Sequence, residues 1–394
     1  MAFAVGEKYE VGNGFNIIAA HTDSPCLKVK PVSKKEREGF LQLGVSTYGG
    51  GLWHTWFDRD LAIGGRVIVR NKNGTFDHRL VFLNRPVCRV PTLAIHLDRS
   101  VNESFKFNNE QHLTPVLASL TKGVLEGSSD KEHHHPALLK ALAAELKCSV
   151  ADICDFELCL CDHQPATIGG VQDEFVFSAR LDNLMSCWTA LQALLKSLPT
   201  LERDSRVRCV AFFDHEEVGS TSQVGADSDI MPTLMERVNE AVGGGAVSAN
   251  VAAAGRRASF LISADMAHAA HPNYPEKHEA DHRPRLHGGM VLKVNHNQRY
   301  ATTTQSAFLI QELARERNIP LQSFVVRNDS PCGSTIGPMM SARSGLRTVD
   351  MGIPQLSMHS IREMCATTDV DHSLNLFEAF FNIFTSVDQK LQMQ

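Results

Sequence analysis

The chain has 394 residues, 43% of them hydrophobic, and a formal net charge of −5 with a pI near 6.4, so it offers no basic surplus for nucleic-acid binding. No apolar run is long enough to span a bilayer, which argues against a membrane partner. A chain of this length is expected to form two domains. The ten cysteines are scattered without a C-x-x-C pair, and residues 1–6 lack the features of a secretory signal. We therefore expect reduced thiols and a cytoplasmic location.

The first predicted element is a buried strand at Phe15–Ala20, which leads into His21. The pattern then changes to turn-rich β structure, with two alternating segments around the turn Asn71–Gly74 that predict a hairpin. A helix is predicted at Pro136–Lys147. We therefore predict a catalytic domain in two parts, residues 1–27 and 167–394, interrupted by a β-rich domain at residues 28–166.

Acids and histidines follow several apolar segments of the predicted catalytic domain. Asp23 comes two residues after His21, Asp214-His215-Glu216-Glu217 follows Val207–Phe213, and Asp265 and His268 follow Phe260–Ala264. In an open α/β sheet, ligands bind beyond the carboxyl ends of the strands. Imidazole and carboxylate groups that converge there can hold divalent cations, which would offset the cost of charge near the interior.

Two further segments complete this candidate metal site. Asp182 precedes the helical pattern Leu184–Leu198, and His359 follows the apolar run Leu346–Gly352. Taken alone, an Asp in this position is most often a helix N-cap, and a single His is most often an ordinary polar residue. We favour the metal site because all these residues follow or flank apolar segments in the same pattern.

A second metal motif is present, since residues 278–282 match H-E-x-x-H. That motif binds zinc only on a helix, where His278 and His282 would share one face. Pro275 and Pro284 flank the segment and leave little room for a helix. We predict a loop close to the active site.

The residues above lie in segments that resemble those of the aspartyl aminopeptidase family, whose members use two zinc ions to remove acidic residues from peptide N-termini. The matching segments, spread over nearly the whole chain, are residues 20–25, 179–184, 214–220, 263–268, 271–274, 328–335 and 357–363. The resemblance implies an α/β fold in which helices sandwich a mixed β-sheet, with the inserted β-rich domain mediating dimerisation. Members of that family usually begin several tens of residues before the segment that matches Phe3–Gly6, so we expect that a leading segment is missing here or absent from the protein.

The resemblance also assigns roles to individual residues. It implies that His21 and Asp265 hold one metal, that Glu217 and His359 hold the other, and that Asp182 bridges both. Glu216 matches the general base, and Asp23 matches the acid that orients the His21 ring. The metals are expected to be two zinc ions per subunit, although manganese or cobalt also suits such a donor set.

Substrate recognition and assembly follow from the same resemblance. It points to Lys293 as the cation that binds an acidic side chain, with Tyr300 and His268 nearby; the pattern alone leaves open a solvated edge lysine. The family forms dimers that build a tetrahedral dodecamer, in which a histidine reaches a neighbour's active site. His96 matches that histidine and is expected to stabilise the oxyanion.

Two other functions remain open at this stage. A related two-metal deacylase or carboxypeptidase would keep the same metal ligands but need a basic clamp for a C-terminal carboxylate. A catalytically silent oligomeric scaffold would assemble and bind metal without cleaving peptides. The aminopeptidase is favoured because every motif above fits it.

Overall fold

The computed structural model describes residues 1–120 and 133–391. The chain divides into two compact units. The first comprises Met1–Ser24, Thr167–Met358 and Glu363–Gln394, and the second comprises Pro25–Ala166 and His359–Arg362. The chain passes between the units at Ser24/Pro25 and at Ala166/Thr167, and the predicted domain boundaries are 27/28 and 166/167.

The sequence prediction placed residues 359–362 in the catalytic part, but they group with the inserted unit. The reason is local hydrogen bonding. The His359 carbonyl accepts from the Leu52 N–H at 2.9 Å, and the Ile361 N–H donates to Thr55 Oγ1 at 3.0 Å. Arg362 adds an ion pair with Asp162 at 3.1 Å.

The described elements, in chain order, are as follows. The strands are β1 Ala2–Val5, β2 Phe15–His21, β3 Cys26–Arg37, β4 Phe40–Tyr48, β5 Leu61–Arg70, β6 Phe76–Cys88, β7 Val116–Ser119, β8 Ile153–Asp162, β9 Thr167–Gly169, β10 Phe175–Ser178, β11 Val207–Phe213, β12 Phe260–Ala264, β13 Ala267–His268, β14 Met290–Val294, β15 Leu321–Val325, β16 Arg347–Gly352, β17 Pro354–Leu356 and β18 Glu363–Ala366. The α-helices are α1 Asn109–His112, α2 Pro136–Leu146, α3 Leu181–Ser197, α4 Ile230–Gly243, α5 Ala249–Ala258, α6 Thr304–Arg317, α7 Ile336–Ser344 and α8 Thr367–Asp388.

A seven-stranded mixed sheet with the order β1-β11-β2-β12-β16-β14-β15 forms the centre of the first unit. Its middle strands β11, β2, β12 and β16 run parallel, so their carboxyl ends meet at one edge. Strand β2 is buried along its whole length. This continuous burial explains its unbroken apolar sequence, which is typical of a strand covered on both faces.

Helices cover both faces of this sheet. On one face Ile18 of β2 packs in a core with α3, α6 and α8, to which α8 contributes Phe377, Phe380, Phe381 and Phe384. On the other face Ile17 packs in a core with α4 and α7. The structure thus confirms the predicted α/β class, with a mixed sheet sandwiched by helices.

Two further sheets complete the described fold. A five-stranded sheet with the order β13-β17-β18-β10-β9 belongs to the first unit. The second unit contains a six-stranded antiparallel sheet with the order β6-β5-β8-β3-β4-β7 and its own core around Leu27, Trp56 and Leu160. The predicted hairpin is present as β5 and β6. Among the described helices, none is long and apolar enough to cross a membrane.

Candidate metal centre and active site

His21 lies at the carboxyl end of β2, and it is only 1% exposed. Its Nε2 atom is 3.4 Å from Asp182 Oδ1, 3.8 Å from Glu216 Oε2 and 3.8 Å from Asp265 Oδ1. These three acids come from the start of α3, the turn after β11 and the residue after β12. Because β11, β2 and β12 are adjacent parallel strands, residues far apart in sequence meet around one imidazole.

Five of the predicted site residues form two overlapping groups. One group is His21, Glu216 and Asp265, the other is His21, Asp182 and Glu217, and within each group the ligand atoms lie within 4.8 Å of one another. One imidazole with several carboxylates is a donor set that suits zinc or manganese. The residues present therefore fit a divalent metal centre.

Asp23 holds both the imidazole and the turn that carries the two glutamates. Its Oδ1 lies 3.5 Å and its carbonyl oxygen 3.0 Å from His21 Nδ1. Its carboxylate also accepts the Glu216 and Glu217 N–H groups, each at 3.1 Å. With acceptors facing Nδ1, the proton is favoured there and Nε2 is left to act as a ligand.

The electrostatics of the site show an excess of negative charge. Burial opposes a charge on His21, yet hydrogen bonds to Asp182, Asp23 and Asp265 raise its pKa well above the usual value. Burial, together with the Asp265 and Asp182 carboxylates, raises the pKa of Glu216 to about 7. The raised pKa values mean that His21 and Glu216 retain protons in a site with excess negative charge. Bound cations would neutralise the same excess negative charge.

Asp182 is held by residues whose roles sequence reasoning did not assign. Its N–H donates to Glu363 Oε2 at 2.9 Å, and its carbonyl accepts from Ser24 Oγ at 2.6 Å. The next residue, Asn183, donates from Nδ2 to the Ala264 carbonyl at 2.8 Å, and the peptide bond between the two is cis. Ser24, Asn183 and Glu363 all lie in the segments that carried the family resemblance, which was the available signal.

His359 and His96 lie in the second unit. His359 Nδ1 is 3.0 Å from the Gly50 carbonyl oxygen. His96 is exposed in a turn between β6 and α1. Their assignments, as a metal ligand and as an oxyanion donor, stay predictions.

Lys293 on β14 is buried, with 4% of its surface exposed, so the alternative of a solvated edge lysine is wrong. Its Nζ lies 3.6 Å from Asp265 Oδ2 and 5.5 Å from the centroid of the Tyr300 ring. His268 retains accessible surface, but desolvation by surrounding protein and the Lys293 cation lower its pKa to about 4. A buried cation, a phenol and an imidazole with a lowered pKa thus lie close to Asp265.

The H-E-x-x-H segment is not helical. A short 3-10 turn occupies Pro275–Lys277, and residues 278–282 continue as bends and loop. His278 Nε2 accepts the His271 N–H, and His282 pairs with Glu279. The two histidines do not share a helix face, as the flanking prolines predicted.

An open α/β sheet whose parallel strands end in a buried histidine and several carboxylates is typical of metal-dependent hydrolases. Comparison with known protein families shows which family within this class the chain belongs to. Residues 1–381 match the family described as aminopeptidase I zinc metalloprotease (M18), and the chain belongs to that family. It is therefore a zinc-dependent metallo-aminopeptidase by family, as the sequence resemblance predicted.

Known relatives and solved structures agree with this placement. The chain is 52% identical to a probable aspartyl aminopeptidase of Ricinus communis, over 99% of this chain and 85% of that protein. It is 49% identical to the aspartyl aminopeptidase of Dictyostelium discoideum, over 98% of this chain and 85% of that protein.

Among solved structures, the chain is similar to that of a complex of Ape4 and Nbr1, with a TM-score of 0.97 and 47% identity over 100% of this chain and 76% of the other. It is also similar to the Saccharomyces cerevisiae mApe1 dodecamer, with a TM-score of 0.85 and 30% identity over 99% of this chain and 84% of the other.

Proposed function

We propose that this protein removes Asp and Glu from the N-termini of peptides, with two divalent cations, zinc by preference, and Glu216 as the general base. The observation that carries the proposal is Lys293. A buried ammonium 3.6 Å from Asp265 provides positive charge for a substrate carboxylate beside the candidate metal ligands. The names of the curated relatives support the same substrate class.

The proposed metal ligands are His21 and Asp265 for one cation, Glu217 and His359 for the other, and Asp182 as the bridge. When bound, such cations lower the pKa of a water molecule and polarise the scissile carbonyl. Asp23 keeps the His21 ring and the glutamate turn in place through the contacts described above.

Glu216 suits the role of proton carrier. It lies 3.8 Å from His21 Nε2 beside the candidate metal ligands, and in the metal-free site burial and the neighbouring acids raise its pKa to about 7. In the proposed reaction Glu216 takes a proton from the attacking water and later gives it to the leaving amine. Glu217, the next residue, is proposed as a metal ligand instead, so the two adjacent carboxylates would have different duties.

The pocket for the acidic side chain is proposed to consist of Lys293, Tyr300 and His268. Lys293 supplies the charge, and the buried Tyr300 ring lies beside its ammonium group. With its lowered pKa, His268 is neutral at physiological pH and adds hydrogen-bonding capacity without a second charge.

We also propose that the protein assembles into dimers through the inserted unit and further into a tetrahedral dodecamer, in which His96 reaches a neighbouring active site. The similarity to the mApe1 dodecamer supports assembly. A cytoplasmic location is part of the proposal and rests on the scattered cysteine pattern of the sequence.

The test is hydrolysis of a panel of peptides that differ only in an N-terminal Asp, Glu, Leu or Lys, with and without a chelator, followed by restoration with zinc. We expect chelator-sensitive cleavage confined to Asp and Glu. Cleavage of N-terminally blocked peptides instead would favour a deacylase or carboxypeptidase. No cleavage by assembled, zinc-loaded protein would favour a silent scaffold.

A further inference from the structure

Asp350 is a buried carboxylate that the mechanism above does not use. It lies in the middle of β16 and has no exposed surface. In the sheet, Asp350 is paired with Ser263 of the neighbouring strand β12. On the other side the β14 register pairs Val291 with Gly352 and Leu292 with Met351, so the next step of the same register brings Lys293 beside Asp350.

The two oxygens of the Asp350 carboxylate accept hydrogen bonds from two different segments. Oδ2 accepts the Ala301 N–H at 2.5 Å, and Oδ1 accepts the Thr335 hydroxyl at 2.6 Å. The backbone of Asp350 adds a second tie, because its N–H donates to Thr302 Oγ1 at 2.9 Å. Asp350 thus joins three segments: β16, residues 299–302 (here called the Tyr300 turn) and Thr335, which precedes α7.

The first turn of α7 is shaped to receive this carboxylate. A Cβ atom on Gly337 would lie 2.3 Å from Asp350 Oδ2, so any larger residue at this position would clash with the carboxylate. The N-terminus of a helix favours a negative charge, which lowers the cost of burying the carboxylate. Burial raises the pKa of Asp350, while the hydrogen bonds from Thr335 and Ala301 and the charge of Lys293 act in the opposite direction.

The turn that Asp350 holds forms part of the proposed substrate pocket. Tyr300 directly precedes Ala301, is 6% exposed, and lies beside the Lys293 ammonium. The segment before α7 is tied to the same turn, since Ser334 Oγ donates to the Arg299 carbonyl at 3.1 Å. Loosening the Asp350 contacts would therefore move Tyr300 relative to Lys293.

We propose that Asp350 is a positioning residue for the pocket that receives the acidic side chain of the substrate, acting through the Tyr300 turn and the start of α7. This inference rests on the proposed specificity for N-terminal Asp and Glu. A carboxylate is required because both contacts need an acceptor. An asparagine has the same shape but offers one acceptor oxygen and turns an NH2 group toward the second donor.

The test compares two peptides that differ only in an N-terminal Asp or Asn, cleaved by the zinc-loaded wild-type protein and by Asp350→Asn. A contact made equally in substrate and transition state changes KM more than kcat, so we expect KM for the Asp peptide to rise about tenfold with kcat within about twofold. The Asn peptide should change by less than about twofold. A second readout is thermal stabilisation by free L-aspartate relative to L-asparagine, which should shrink in the variant.

Asp369 provides a matched control. It is also fully buried, and it accepts the His287 and Gly289 N–H groups at 2.6 and 2.8 Å, neither of which belongs to the Tyr300 turn. Asp369→Asn should lower stability while leaving the Asp-to-Asn preference unchanged. Thr335→Val removes one donor to Asp350 and retains the carboxylate, so it should shift the preference in the same direction by a smaller factor, including where Asp350→Asn fails to fold.

The outcomes separate this inference from the proposed function. A wild-type protein without preference for the Asp peptide would overturn both. A wild-type preference that survives unchanged in Asp350→Asn, or in Thr335→Val if only that variant folds, would overturn the role of Asp350 alone. An equal loss for both peptides, or a change in preference that Asp369→Asn reproduces, would also overturn it.

Discussion

The two sheets at the centres of the two units place their charges differently. In and around the seven-stranded sheet, many charged groups are buried. One set surrounds His21 at the carboxyl ends of the parallel strands, and another, Arg206, Arg347 and Asp388, meets near the amino ends of β11 and β16. In the six-stranded antiparallel sheet of the inserted unit, Asp162 at the end of β8 is buried and paired with Arg59 and Arg362. Other ion pairs of this unit, such as Lys28 with Glu157 and Lys30 with Glu110, lie at the surface, with glutamate side chains 52% and 65% exposed.

Residue type alone therefore does not determine how much a charged side chain contributes to the stability of the fold. A buried carboxylate needs partners or cations, because its unpaired charge would be costly, and its pKa shifts accordingly. An exposed pair is screened by water and salt and contributes little. Equivalent substitutions in the two sheets should therefore have effects of very different size.

The largest difference is expected for catalysis. Glu216→Gln removes the proposed proton carrier while keeping its shape, and it should lower kcat by about 10²- to 10⁴-fold. The measurement is steady-state hydrolysis of an N-terminal Asp peptide, with metal content determined on the same samples. Glu110→Gln in the inserted unit is the control and should leave kcat within about twofold. A Glu216→Gln protein that keeps its metals and most of its activity would contradict the assignment.

A large effect on stability is expected at the end of α8. Asp388 accepts hydrogen bonds from Arg347 at 2.6 and 2.7 Å and from Arg206 at 2.7 Å, and all three side chains are mostly buried. Asp388→Asn leaves two guanidinium groups without their carboxylate and should lower the free energy of unfolding by about 3 kcal/mol. Urea unfolding measures this loss.

The exposed Asp371 on the same helix supplies the control for that experiment. Asp371→Asn should change the free energy of unfolding by less than about 0.5 kcal/mol. Similar losses in both variants would show that the Asp388 network does not stabilise the helix.

Much of this contrast was predictable from the sequence, because burial leaves a pattern in a single segment. The apolar runs at Val207–Phe213 and Phe260–Ala264 are the observed β11 and β12, and the acids that follow them do meet His21. The helix predicted at Pro136–Lys147 is observed as α2, Pro136–Leu146. Hydrophobic periodicity and composition predict such features well, because each feature depends on a single strand or helix and on which of its faces is buried.

Features that depend on three elements at once were not predictable in the same way. Asp350 interrupts an apolar strand, and nothing in that strand indicates that its partners are Ala301 and Thr335. Glu363 likewise supports Asp182 from far along the chain. The grouping of His359–Arg362 with the inserted unit depends on hydrogen bonds to residues near Leu52, which no local pattern encodes.

The pH dependence of stability gives a smaller and more selective test. Burial alone would raise the pKa of Asp388, but the hydrogen bonds from Arg347 and Arg206 outweigh it and hold the pKa below the usual value. A depressed folded pKa contributes stability that is fully present above the unfolded value of about 3.9 and is lost as pH falls through the folded value. The difference in unfolding free energy between wild type and Asp388→Asn should therefore be constant near neutrality and narrow below about pH 4. A difference that widens in acid would contradict the depressed pKa.

The smallest effect is expected for the surface pair of the inserted sheet. Lys28 Nζ lies 2.6 Å from Glu157 Oε1, and the lysine also lies over the Tyr48 ring at 4.1 Å, yet the glutamate is half exposed. Glu157→Gln should lower the free energy of unfolding by about 0.2–1 kcal/mol at low ionic strength, and by less at about 1 M salt, where the screening length falls to about 3 Å. A salt-independent loss as large as that of Asp388→Asn would mean that the exposed pair behaves like a buried one, and the contrast between the two sheets would then fail.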